Sequence, residues 1–291
     1  MTNTRRALCA SLLLIGSAAH SAATADPASA AGAAKPVATP RVYVFDCGRV
    51  EVKDISVFSP GVDVGKKKTL TDSCYLVVHP KGTLMWDTGL PDELASAAAG
   101  KDVPGFHMTL KKTIVSQMKE AGYTPAAVTY LGLSHMHFDH IGNVALFPKA
   151  TLLMQKEEYE SAIGPDAAKF GNDPTTYPTL AANPVEKLSG DHDVFGDGTV
   201  VIKRAPGHTP GHQALFLKLR KTGNILLSGD MAHFTKNWEN RRVPSFNFDK
   251  DASVKTMNQM ADFIKANKAR LWIQHDLEQN LKIKDAPKYY E

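Results

Sequence analysis

The chain has 291 residues, 34 Lys and Arg against 30 Asp and Glu, and a formal charge of +4 with the two signs interspersed. This balance argues against a nucleic-acid surface, because the one dense basic run, Lys66 to Lys68, falls in a stretch that reads as a hairpin loop. The length allows one large α/β domain with a sizeable core, and no internal linker calls for a second.

Arg5 and Arg6 precede an apolar run from Ala7 to Ala19 and small residues through Ala25, the pattern of an export signal. The run is shorter than the roughly 20 residues that span a bilayer, so no membrane insertion is expected after signal removal. Thr4, Arg5, Arg6 and Leu8 partly match a twin-arginine signal. Cleavage after Ala25 suits Ala23-Thr24-Ala25. An Ala- and Pro-rich linker over 26–40 and a single domain over 41–291 then remain. The expected location is periplasmic or secreted. Cys9 would leave with the signal, while Cys47 and Cys74 stay. An oxidising compartment permits a disulfide between them, and they read equally well as small buried apolar residues.

Val42 to Phe45, Cys74 to Val78 and Thr83 to Trp86 are β-prone runs, the last ending on the turn Asp87-Thr88-Gly89, which predicts an N-terminal antiparallel sheet. Leu110, Ile114, Val115, Met118 and Ala121 share one helical face, and Gly122 with Pro125 stops that helix. A strand over Val128 to Leu133 runs into Ser134-His135-Met136-His137-Phe138-Asp139-His140. Further strands are expected at Thr151 to Met154, Val200 to Arg204, Gln213 to Leu219, Ile225 to Ser228 and Leu271 to Gln274. His208, Asp230 and His275 follow three of these. One rim at the carboxyl ends of the strands would gather them, where α/β folds place their sites. A last helix places Val254, Met257, Met260, Ala261 and Ile264 on one face, with Ser253 or Asp251 as its cap.

His135, His137, Asp139 and His140 crowd imidazoles and a carboxylate into one loop, a donor set suited to divalent transition metals. A polar surface loop has no need of such clustering. A lone His after a strand is more often packed or capping, so His208, Asp230 and His275 gain weight only alongside the cluster.

His135-x-His137-x-Asp139-His140, followed in order by His208, Asp230 and His275, resembles the metallo-β-lactamase superfamily. Ser134 to Gly142, Pro206-Gly-His-Thr-Pro-Gly-His212 and His275-Asp-Leu-Glu-Gln279 most resemble its N-acyl-homoserine lactonases. The resemblance implies an αββα sandwich, two mixed sheets packed face to face with helices outside. It implies two metal ions, taken as zinc, one on His135, His137 and His208, the other on Asp139, His140 and His275, with Asp230 bridging. It further implies opening of a small lactone by a hydroxide held between the ions, with Asp139 returning a proton to the leaving alkoxide. A homodimer is compatible with this reading.

Asp87 matches a superfamily turn in which such an aspartate orients a metal ligand, and also reads as a simple turn residue. Many of the resembled lactonases carry a tyrosine three residues after the bridging aspartate; here His233 stands there, and its N–H can donate the same hydrogen bond to a substrate carbonyl. The alternative is an ordinary loop histidine. Pro210-Gly211 interrupts any helix between His208 and His212, so His212 reads as structural, and His79, His107 and His192 read as polar turn residues. Met136, Phe138, Phe234, Trp238, Phe246 and Phe248 are candidates for an acyl pocket. A glyoxalase-II-like thioesterase and an organophosphate or aryl ester hydrolase share the chemistry. A β-lactamase is disfavoured by Asp230, and a flavin-linked di-iron oxidoreductase by His137. A non-catalytic metal binder is the reading from another class.

Overall fold

The protein is described from a computed structural model over residues 37–170 and 172–291; the export signal and most of the expected linker lie outside that range. Strands β1 (Arg41–Val52), β2 (Lys68–His79) and β3 (Gly82–Trp86) pair antiparallel, with a bulge in β1 between Asp46 and Gly48. Then come β4 (Lys101–Val103), β5 (Phe106–Thr109), α1 (Ile114–Ala121), β6 (Tyr130–Gly132), α2 (Phe138–Ile141), β7 (Thr151–Gln155), α3 (Lys156–Ile163) and β8 (Val185–Leu188). The second half holds β9 (His192–Asp193), β10 (Val200–Arg204), β11 (Gln213–Leu219), β12 (Gly223–Leu227), α4 (Thr235–Asn240), α5 (Lys250–Ala266), β13 (Arg270–Trp272), α6 (Leu277–Asn280) and β14 (Tyr289–Tyr290).

Alternation along the strands writes the layers. Tyr75 and Val77 of β2 face Leu215 and Leu217 of β11 between the sheets, while Cys74 and Leu76 face Ile114 and Met118 of α1. On β11 the opposite set, Ala214 and Phe216, packs on Met257 and Met260 of α5. Each fully buried Leu or Met contributes about 1.5–3 kcal/mol relative to exposure. The sheets run β4-β5-β1-β2-β3-β6-β7-β8, with β14 beside β1, and β13-β12-β11-β10-β9. Both mix parallel and antiparallel pairs, giving the αββα sandwich expected. The described residues lie within one compact unit, Gly32–Glu291, and none of their helices is long and apolar enough to cross a membrane.

Several local expectations shift. Leu110 is buried but precedes α1, which starts after the Thr113 cap, and Val115 is exposed. Asp249 caps α5, accepting from the Ala252 amide at 2.9 Å. The helix therefore begins two to four residues earlier than expected, and Asp251 and Ser253 fall inside its first turns. Lys68 opens β2 instead of lying in the loop, and Val37 already packs in the core, so apolar burial begins within the segment read as linker. Cys47 and Cys74 are joined by a disulfide between β1 and β2. His79 is no turn residue: it ends β2, buried, stacked on Phe195 at 4.1 Å and bonded to Asp197 at 2.9 Å.

Candidate metal centre

The expected ligands follow the ends of β6, β10, β12 and β13, so strands from both sheets deliver them to one end of the sandwich. Two groups form there. One offers ligand atoms from His135, His137, His208 and Asp230, the other from Asp139, His140 and His275, each set lying within 4.8 Å of one another. The Asp230 carboxylate reaches both: Oδ2 is 3.3 Å from His208 Nε2, and Oδ1 is 3.3 Å from His140 Nε2 and 2.9 Å from His275 Nε2.

Neighbouring oxygens engage one ring nitrogen and leave the other facing the centre. His275 Nδ1 donates to the Thr71 carbonyl at 2.7 Å, His208 Nδ1 to Asn247 Oδ1 at 2.8 Å, and His140 Nδ1 to Asp87 Oδ2 at 3.0 Å. His135 Nδ1 meets Ser134 Oγ at 3.1 Å. The inward nitrogens then crowd: His137 Nδ1 is 2.9 Å from His135 Nε2 and 3.0 Å from His208 Nε2. Neutral rings placed this way turn lone pairs on one another, an arrangement that a shared cation relieves. The donor set fits a pair of divalent transition-metal ions, with the Nδ1 partners fixing the rings of His135, His140, His208 and His275 as ligating histidines require.

Electrostatics agree. Burial and the neighbouring imidazoles hold His135 and His137 well below the ordinary histidine range, so they stay neutral. Burial pulls His275 down too, but the Asp230 and Asp139 carboxylates outweigh it and raise it to about 9. Burial likewise works against ionised Asp230, yet the surrounding histidines keep its carboxyl well below the usual carboxylate range.

The supporting contacts are dense. Asp87, at positive φ in its turn, accepts from the Ser134 amide at 2.6 Å and from Gln274 Nε2 at 3.0 Å while holding His140. Glu158 on α3 accepts from the Met136 and Gly211 amides, both at 2.9 Å, tying the two histidine loops together. His212 donates Nδ1–H to the Ala205 carbonyl at 2.9 Å and accepts the Asp230 amide at Nε2 at 2.8 Å. Its structural reading thus extends to positioning Asp230. Gly207, at φ +135, lies under Ser253, where a Cβ would come within 2.4 Å of the Ser253 nitrogen.

His233 reaches the site, but its Nε2 lies 2.9 Å from Asp230 Oδ2 and its Nδ1 is buried without a partner. The ring stacks on His275 and lies tilted against Phe58, so it steadies the Asp230 carboxylate and walls a cleft. That cleft is lined by Val50, Phe58, Leu70, Phe106, Phe138 and Phe246 above Asp139, Asp230 and His275. Of the expected acyl candidates, Phe138 and Phe246 line it; Met136 and Phe234 are core residues, Trp238 packs beside α5, and Phe248 is exposed, away from the cleft lining. Phe58 and Phe106 were not foreseen, since neither lies near a motif. His107 and His192 join no metal-ligating group among the described residues.

Residues 70–266 match the model of the metallo-beta-lactamase superfamily. The chain is 31% identical over 264 residues to the N-acyl homoserine lactonase AttM of Azorhizobium caulinodans, covering 86% of this chain and 98% of that protein. It is 30% identical over 255 residues to the N-acyl homoserine lactonase AiiA of Bacillus thuringiensis subsp. kurstaki, with the same coverage. The crystal structure of a quorum-quenching N-acyl homoserine lactone lactonase superposes with a TM-score of 0.74 at 28% identity, over 88% of this chain and 100% of that one. An N-acyl homoserine lactone hydrolase with N-hexanoyl-L-homoserine at its catalytic metal centre gives 0.73 at 27%, over 86% and 98%. The sandwich, the order of the strand-end ligands and these likenesses together place the chain in the metallo-β-lactamase superfamily.

Proposed function

We propose that the protein is a two-metal hydrolase that opens the ring of N-acyl homoserine lactones. The observation that carries the reading is the pair of His and Asp groups sharing Asp230 beneath an apolar cleft. Bound there, two ions, taken as zinc, supply Lewis-acid polarisation of a carbonyl and a nucleophile at neutral pH. The protein does the rest. His135, His137, His208, His140, His275 and Asp139 would hold the ions, with the Asp230 carboxylate between the two groups. Asp139, partly open to the cleft, is the acid placed to hold a proton near the departing ring oxygen. His233 fixes Asp230 and offers its N–H on the substrate side once that contact loosens.

An apolar cavity of about 730 Å³, lined by Leu94, Val103, Met108 and Phe138, adjoins the cleft through Phe138 and has room for an acyl chain. The leader pattern supports a periplasmic or secreted location, and the Cys47–Cys74 bond suits an oxidising compartment. Cell fractionation finding the full chain in the cytoplasm would contradict that location.

The test is a comparison of kcat/KM for the zinc-loaded protein on short and long acyl-homoserine lactones, a thioester, a β-lactam and an organophosphate. Lactones should lead. Best turnover of any other class would overturn the substrate assignment.

A further inference from the structure

Asp72 is fully buried in the middle of β2, and neither carboxylate oxygen has a hydrogen-bond partner among the described residues. Side chains alternate along a strand, so Asp72 shares its face with Leu70 and Cys74. Leu70 lines the cleft beside Asp139 and His275. Cys74 sits in the disulfide under Gly89, whose Cβ would lie 2.9 Å from the Cys74 sulfur. The preceding residue, Thr71, clasps His275 twice: its amide donates to the His275 carbonyl at 3.2 Å, and its carbonyl accepts from His275 Nδ1 at 2.7 Å. The strand therefore places Asp72 directly behind the second group of ligands.

Burial without a donor opposes ionisation and pushes the Asp72 carboxyl up, while His275 and His140 pull it down and Asp139 and Asp87 oppose them. No Lys or Arg donates to it. An unpaired carboxylate in such a place is costly unless a positive charge stands nearby. In the metal-free protein His275, raised to about 9, supplies part of that charge; ligating imidazoles are neutral, so once the metal is bound the cation itself has to supply it.

We propose that Asp72 is an additional anionic group serving the second metal position, strengthening cation binding there. The assignment rests on the two-metal reading above. It makes the positions unequal, with Asp72, Asp87 and Asp139 clustered on the His140 and His275 side.

The experiment titrates zinc-loaded wild type and Asp72→Asn with a chelator, counts ions retained, and records melting temperatures of both proteins with and without zinc. In Asp72→Asn one ion should leave at roughly 10–100-fold lower chelator concentration, the other should leave as in wild type, and zinc should raise the melting temperature of the variant by less than it raises that of wild type. A group needed only for packing would lower the melting temperature in both states. Asp72→Val, which also removes the charge, keeps the test open if Asp72→Asn folds poorly. Unchanged affinity for both ions, or an equal gain in melting temperature on zinc binding in variant and wild type, overturns the proposal while leaving the two-metal reading intact. Wild type that never holds a second ion overturns both.

Discussion

At the scale of single residues, His135, His140, His208 and His275 each have the second ring nitrogen already committed to a neighbouring oxygen. Asp230 is the extreme case, because one carboxylate meets both ligand groups and its amide is pinned by His212. Asp230→Ala should lose metal and lower lactone hydrolysis by at least about 100-fold, measured by metal content and kcat/KM; retained activity would remove it from the mechanism. His233 presents a sharper contrast, since it contacts Asp230 where many of the resembled lactonases are read as carrying tyrosine. His233→Ala should cost about 10-fold or more in kcat/KM and His233→Tyr should recover most of it. Equal rates for His233→Ala and wild type would make the imidazole a wall residue only. The ligand identities were legible in the sequence because metal chemistry admits few residue types and strand ends are recognisable. Glu158, Asn247 and Thr71 were not, because a buttress through a backbone amide or carbonyl leaves no pattern in its neighbours.

At the scale of elements, α3 and the loops it braces form the unit that keeps the ligands in register. The Glu158 carboxylate on that helix joins the His135 loop to the His208 loop through one amide of each, and it lies fully buried. Replacing it with Ala would strand two amides at about 1–3 kcal/mol each. Glu158→Ala should therefore lose about 2–5 kcal/mol in urea unfolding, and a loss below about 1 kcal/mol would mean that water takes over its role. Strands β10 and β11 fell where alternation placed them. The shifted features were ends and caps: α5 is capped by Asp249 because its carboxylate reaches the Ala252 amide, a choice between neighbouring polar residues that spacing does not decide. Likewise the aromatic wall draws Phe58 and Phe106 from distant loops and strands, which only tertiary packing reveals.

For the whole molecule, two sheets close over one core and leave the ligand-bearing strand ends together at one rim. The disulfide beneath that rim joins residues 27 apart in sequence, a loop whose closure contributes about 3–4 kcal/mol by the chain-entropy account. Cys47→Ala with Cys74→Ala should lower the melting temperature by about 6–15 °C, read by calorimetry; an unchanged melting temperature would show that packing alone holds β1 on β2. The central claim, that paired cations in this rim drive hydrolysis, is tested most directly by adding zinc to metal-free protein and following N-hexanoyl-homoserine lactone ring opening. Activity should rise to a plateau at two equivalents per chain, and Asp230→Ala should stay inactive throughout. Full activity without metal, or a plateau at one equivalent, would contradict the account.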